Sequence, residues 1–260
     1  MDAYHIREIT LLPGISRDGV RETFDEIVIR PGDTISIVGP TGSGKTALIN
    51  DIEVFAQQDT ATGRSVLVNG ALPPDTLVRD PSQKPIALIT QHTKCLADLS
   101  VREFLAMHLQ ARKCTDPART EETITLANQF TGEAITGTMR MTALSGGQTR
   151  SLMVADAIVI SDTPLILLDE IENAGIFKDR VIASLKEHQR AVIFVTHDPY
   201  VSLLSDRRIV MQHGAVVKVI ESDGSEQAAL DAVAGIDTLL YSLRERIRAG
   251  EQITGGVEFA

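Results

Sequence analysis

The run Gly39-Pro40-Thr41-Gly42-Ser43-Gly44-Lys45-Thr46-Ala47 constrains this chain more than any other stretch. It follows Ile35 to Val38, a continuous apolar segment of buried-strand length. It leads into Thr46 to Phe55, where Leu48, Ile49, Ile52 and Phe55 recur at helical spacing. Glycines between a buried strand and a helix let the backbone curl, so that successive N–H groups point into one concavity. The helix N-terminus adds its positive end. Such a loop cradles phosphate: Lys45 is placed to reach β- and γ-phosphates, and the Thr46 hydroxyl to ligate Mg²⁺.

The rest of the chain fits an α/β fold. Short strands are expected at Ile6 to Leu12 and Phe24 to Ile29, with turns at Pro13-Gly14, Asp18-Gly19 and Arg30-Pro31-Gly32-Asp33. Ser65 to Val68 reads as a strand closed by Asn69-Gly70, and Ile86 to Thr90 as another. Prolines at 73–74 and from 81 to 85 mark loops. From Ser100 to about Arg140 the pattern turns helical, opened by a capping box of Ser100 and Glu103, with a second helix at Thr120 to Phe130 and a third at Arg150 to Ile160. Leu165–Leu168, Lys178–His188 and Ala191–Val195 then alternate strand, helix and strand, the order of a parallel sheet with crossover helices. Near the end, Leu230, Val233, Ile236, Leu240, Leu243 and Ile247 recur every three or four positions, an amphipathic helix closing near Ala249-Gly250. It either packs on its own domain or serves docking or dimerisation.

Carboxylates stand where phosphate chemistry needs them. Leu165-Ile166-Leu167-Leu168 ends in Asp169-Glu170. Asp169, at the strand end, can hold Mg²⁺ directly or through water, and Glu170 can orient and partly deprotonate an attacking water. Gln91 and His197 each follow an apolar strand. Leu144-Ser145-Gly146-Gly147-Gln148 opens a helix and so presents further backbone N–H groups.

The glycine loop, Leu144–Gln148 and Leu165–Glu170, in this order, resemble the ABC-type ATPases, from roughly residue 5 to residue 215. The resemblance implies a P-loop NTPase with a parallel-sheet core, an N-terminal antiparallel β subdomain and a helical signature subdomain. Residues 1–220 would be the ATPase domain, with the helical subdomain at about 92–160. Residues 221–260 would be a C-terminal amphipathic helical extension. By the same resemblance Gln91 senses Mg²⁺ and the attacking water, His197 hydrogen-bonds the γ-phosphate, and Ser145, Gly146 and Gly147 bind the γ-phosphate held by another subunit. That implies a head-to-tail dimer, two copies of this chain being the expected pair, closing on ATP and reopening on hydrolysis.

The chain departs from the family pattern at four places. Ile176 stands where a loop aspartate is expected, with Glu172, Asn173 and Asp179 as candidate substitutes. Asp156 replaces a frequent basic residue, and Ala47 a second hydroxyl. The stretch Thr10-Leu11-Leu12-Pro13 lacks an aromatic to stack on adenine, leaving Tyr4 and Phe24 as candidates, with core packing favoured for Phe24. None of these removes a group from the phosphates or Mg²⁺, so hydrolysis is expected.

The bulk numbers narrow the role. A chain of 260 residues, 43% hydrophobic and 23% charged, suits one sizeable core. A net charge of -10 disfavours broad binding to nucleic acid. No apolar run approaches the ~18 residues that span a bilayer. The N-terminus has no signal-peptide pattern. The expected setting is cytoplasmic, with attachment to the inner face of the membrane through a partner. His92, Cys95, His108 and Cys114 lie near each other in sequence but match no zinc spacing, and ordinary helix roles are expected for them. The expected function is the ATP-hydrolysing subunit of an ABC transporter, Leu99-Ser100-Val101-Arg102-Glu103 resembling part of the segment that receives a membrane subunit. The alternative is a soluble ABC ATPase that assembles or activates a partner such as a metalloenzyme or iron–sulfur system.

Overall fold

The computed structural model describes residues 5–90, 98–170 and 176–253. Its strands are β1 (Ile9–Leu12), β2 (Ile27–Ile29), β3 (Thr34–Val38), β4 (Ser65–Val68), β5 (Ile86–Ile89), β6 (Leu165–Asp169), β7 (Ala191–Val195), β8 (Arg207–Gln212) and β9 (Ala215–Glu221). Its α-helices are α1 (Lys45–Glu53), α2 (Asp75–Arg79), α3 (Val101–Ala111), α4 (Ala118–Phe130), α5 (Gly146–Val159), α6 (Lys178–Glu187), α7 (Pro199–Leu204) and α8 (Gln227–Arg248).

Two sheets divide the strands. β2, β1 and β4 form an antiparallel sheet in that order. The second sheet runs β5-β6-β7-β3-β8-β9, parallel except for the closing β8–β9 hairpin. The central strands are apolar almost throughout because both of their faces are covered. On β6, Leu165 and Leu167 join α1 and the antiparallel sheet in one core, while Ile166 and Leu168 join α3–α7 in the other. The expected α/β architecture, with an antiparallel β unit and a helical unit, is what the chain adopts.

Element boundaries shift in places. β1 starts at Ile9 rather than Ile6, and β2 at Ile27 rather than Phe24. Residues between them form a loop closed by an Ile15–Arg21 bridge, and Phe24 packs against the core outside the pairing. Asp75–Arg79, between the two proline-marked loops, is a short helix started from extended Pro74. The capping box at Ser100 forms, with Ser100 Oγ accepting from the Glu103 N–H at 3.2 Å and Glu103 Oε2 accepting from the Ser100 N–H at 2.7 Å. α8 is the long terminal helix, yet none of its residues is buried. It leans on α7 and on the start of α6, where the Phe177 and Tyr241 rings meet edge to face at 6.3 Å. Ile236, Leu240, Tyr241 and Ile247 stay exposed, so helical periodicity located the element but not a closed core around it.

Candidate active site

Three adjacent parallel strands end at one edge of the large sheet. β3 runs into the Gly39–Gly44 loop, β7 into Thr196-His197, and β6 into Asp169-Glu170. β7 lies between the other two, in register through Ile35↔Ile193 and Leu167↔Ile193. In open α/β sheets ligands bind outside the carboxyl ends of such strands. The next strand outward, β5, leads toward Gln91, which lies outside the described residues.

The loop's shape depends on two glycines. At Gly39 (φ 152°) a Cβ would sit 2.3 Å from the Met211 carbonyl oxygen. At Gly44 (φ 101°) it would sit 2.9 Å from the Gly214 Cα. The β8–β9 turn is thus pressed against the loop, and the Gly214 N–H donates to the Ser43 carbonyl at 2.9 Å. Gly44 caps α1 without a side chain, so the helix's first N–H groups meet no capping oxygen. Ser43 is buried, and its hydroxyl has no partner among the described residues. Pro40, Thr41, Gly42 and Thr46 are exposed, and Ala47 is half-buried. An open concave backbone beside a helix N-terminus fits a polyphosphate.

Lys45 is buried, and its Nζ donates to the carbonyls of Gly39 (2.7 Å) and Pro40 (3.1 Å). Burial holds its pKa below the usual lysine value, against the opposing pull of Glu170 and Asp169. The ammonium and the two carboxylates therefore share one electrostatic neighbourhood. Glu170 leaves β6 in the left-handed region (φ 52°), with its N–H donating to the Val195 carbonyl at 2.9 Å. A non-glycine residue held there is uncommon and points to a functional constraint. His197 Nε2 lies 3.7 Å from Glu170 Oε1. The hydroxyl of Thr46 and the carboxylate of Asp169 are hard oxygen donors of the kind Mg²⁺ takes.

Ser145, Gly146 and Gly147 lie elsewhere, at the N-terminus of α5. Ser145 Oγ accepts from the Gln148 N–H (3.2 Å) and donates to Glu133 Oε2 (3.0 Å), while Gln148 Oε1 accepts from the Ser145 N–H (2.9 Å). This capping box escaped the sequence reading although its Ser-x-x-Gln signal is present. The box leaves Ser145 and Gly146 exposed.

Several departures acquire partners. Ile176 is buried in the helical core and bridges Thr131. Asp179 accepts a hydrogen bond from the Tyr200 hydroxyl, which helps to push that phenol's pKa well up, burial being the largest cause. Asp156 Oδ2 sits 2.9 Å from His108 Nδ1. Phe24 packs against the core. Tyr4, His92, Cys95, Glu172 and Asn173 lie outside the described residues; among the described ones no His, Cys, Asp and Glu group has metal-site geometry.

The profile of the ABC transporter family matches residues 26–173. A Methanocaldococcus jannaschii protein described as an uncharacterised ABC transporter ATP-binding protein is 46% identical over 96% of this chain and 95% of its own length. A sulfate/thiosulfate import ATP-binding protein of Synechococcus elongatus is 31% identical over 75% of this chain and 56% of its own. An ATP-dependent lipid A-core flippase of Burkholderia pseudomallei is 29% identical over 95% of this chain, which spans only 41% of the flippase. Among solved structures, a dimeric ATP-binding cassette in a post-hydrolysis state with ADP and phosphate superposes with a TM-score of 0.64 at 21% identity, covering 83% of this chain and 99% of that one. The chain belongs to the ABC transporter family. It is an ABC-type nucleotide-binding subunit, an ATPase whose substrate is ATP and whose companion metal is Mg²⁺.

Proposed function

We propose that this ATPase works as a head-to-tail pair of subunits that drives a membrane-embedded transporter partner, from the inner face of the membrane. Residues 1–220 carry the ATPase domain and residues 221–260 an added helical extension. The observation that supports the site most is the convergence of three neighbouring strand ends, which gathers Lys45, Asp169, Glu170 and His197. The transporter setting draws on relatives described as an import ATP-binding protein and a flippase; the soluble-client alternative draws no support from them. Among the described residues no helix is long and apolar enough to cross a membrane, so a membrane path would come from the partner.

Gly39, Pro40, Thr41, Gly42, Ser43, Gly44 and Ala47 wrap the phosphates, the residues other than Pro40 offering backbone N–H groups, and Lys45 adds a positive charge. Thr46, Asp169 and Gln91 would hold Mg²⁺, which when bound neutralises charge developing on the phosphoryl oxygens. Glu170 orients the attacking water and draws off its proton, while His197 donates to a γ-phosphate oxygen. The 3.7 Å between these two side chains suits groups that meet the same water and phosphate from two sides. Ser145 and Gly146, exposed at a helix N-terminus, and the half-buried Gly147 complete the opposite subunit's site.

Glu170→Gln tests this reading. The amide keeps the shape but cannot accept the proton, so turnover should fall by roughly 10²-fold or more while ATP still binds. ATP should then trap a dimer visible by size-exclusion chromatography. Turnover at the wild-type rate would overturn the role of Glu170.

A further inference from the structure

Phe177 and Lys178, at the start of α6, meet three other parts of the molecule. The Phe177 N–H donates to the Phe130 carbonyl at 2.8 Å, at the end of α4. Lys178, the first residue of α6, sits between two carboxylates: its Nζ donates to Asp198 Oδ2 at 2.5 Å and lies 3.2 Å from Asp237 Oδ2. Lys178 and Asp198 side chains are each 13% exposed. Asp198 directly follows His197. Its other oxygen, Oδ1, accepts from the Tyr200 N–H at 2.8 Å and so caps α7, and its own N–H donates to Thr196 Oγ1 at 2.9 Å. Lys178 Nζ also faces the Tyr200 ring at 5.5 Å. Asp237 belongs to α8, whose Tyr241 adds the ring contact with Phe177.

We infer that Asp237 of the C-terminal helix is a positioning residue for hydrolysis, acting through Lys178 and Asp198 on His197. The inference rests on the role proposed above for His197. One ammonium ties the turn that carries His197 to the chain that follows Glu170, and α8 supplies the second carboxylate of that tie. Without Asp237 the ammonium still pairs with Asp198, but it gains freedom to swing, and the turn at residues 196–200 loosens with it. The cluster touches none of the loop residues from Gly39 to Ala47, so ATP affinity should not follow. α8 thereby gives the rest of the protein a lever on the rate of the chemical step that leaves binding alone.

The test is Asp237→Asn in the full-length chain, beside Asp231→Asn as a control on the same helix. Asp231 is exposed and accepts only from the Gln227 side chain among the described residues. Expected for Asp237→Asn is a kcat lowered roughly two- to fivefold, the scale of a partly exposed ion pair, at unchanged KM for ATP. Asp231→Asn should match the wild type. In the same samples, hydrogen exchange at the Tyr200 amide should speed up in Asp237→Asn alone. Unchanged kcat and unchanged Tyr200 exchange overturn the inference, and so does a loss that appears equally in KM. If His197→Ala leaves turnover intact, the role of His197 fails instead; faster Tyr200 exchange in Asp237→Asn would then still establish the tie from α8 to the turn.

Discussion

Arg64 and Lys178 each sit between two carboxylates, one sealed and the other open at one side. Arg64 bonds Glu22 (3.0 and 2.6 Å) and Asp51 (3.0 Å), and its side chain is fully buried. Further hydrogen bonds tie the cluster to its surroundings. Arg64 also donates to the Gly214 carbonyl, Glu22 accepts from the N–H groups of Gly14 and Val216, and Asp51 accepts from the Thr62 hydroxyl. Lys178 pairs with Asp198, whose side chain is 13% exposed, and with Asp237, which is 41% exposed. Charges removed from water are tolerable only when the geometry and hydrogen bonding are complete. The sealed cluster therefore has one arrangement, and its members come from the loop between β1 and β2, α1, the turn that leads into β4 and the β8–β9 turn. That turn is the one pressed on Gly44, so the Arg64 cluster stiffens the back of the phosphate loop. The Lys178 cluster, open on the α8 side, can yield.

The comparison breaks first at Arg64. Replacing it with Met removes the cation and leaves two buried carboxylates facing each other. Loss of one partner from a buried ionic cluster costs about 3–5 kcal/mol, which should appear as a large drop in the denaturation midpoint with no change in slope. A loss under about 1 kcal/mol would mean that water reaches the cluster. Lys178→Met, by contrast, should cost less stability and more kcat.

Acid sharpens the same contrast. Burial pushes the Glu22 carboxyl up, but Arg64 and the N–H groups of Val216 and Gly14 together outweigh it, leaving its pKa below the ordinary 4.5. A depressed carboxyl contributes stability that is whole above the unfolded pKa and disappears as pH falls through the folded one. Glu22→Gln loses the charge yet keeps the shape, so it should be less stable than wild type by about 2 kcal/mol at neutral pH. The gap should close as pH drops below 4.5. A gap that stays constant down to strong acid would show that the charge of Glu22 is not what holds Arg64. Lys178 has the opposite sign. Burial lowers its pKa, but Asp198 and then Asp237 raise it overall, so its contribution is whole below the ordinary 10.5 and fades only as pH rises above that.

These clusters also mark where the sequence stops being readable. The phosphate loop was legible because strand, glycines, lysine and helix follow one another without a gap, and Asp169-Glu170 because an apolar run ends in them. Periodicity and local chemistry carry such information over a few residues. Arg64, in contrast, looks like an ordinary charge after Gly63, and its partner Glu22 is 42 positions away. Lys178 and Asp237 lie on separate helices, and only the packing of α8 on α7 brings them together. The short elements α7, β8 and β9 went unread for a related reason. Met211 and Gly214, which shape the phosphate loop from behind, belong to that stretch and touch the loop across the sheet rather than along the chain.

The lower bound of the comparison is Arg102 with Glu121, which join α3 to α4 at 2.6 Å with both side chains more than half exposed. The distance matches the Arg64–Glu22 contact, so distance alone would rank the two pairs as equals. Solvent decides otherwise. Water already stabilises both separated charges, salt screens their attraction, and two long side chains lose freedom on pairing. Arg102→Ala should therefore cost less than about 1 kcal/mol, and that small cost should vanish in high salt. Measuring Arg64→Met and Arg102→Ala side by side at two ionic strengths separates the alternatives: burial predicts a large, salt-insensitive loss at Arg64 and a small, salt-sensitive one at Arg102. Equal losses would mean that contact geometry, rather than exclusion of water, sets the strength of ion pairs in this fold.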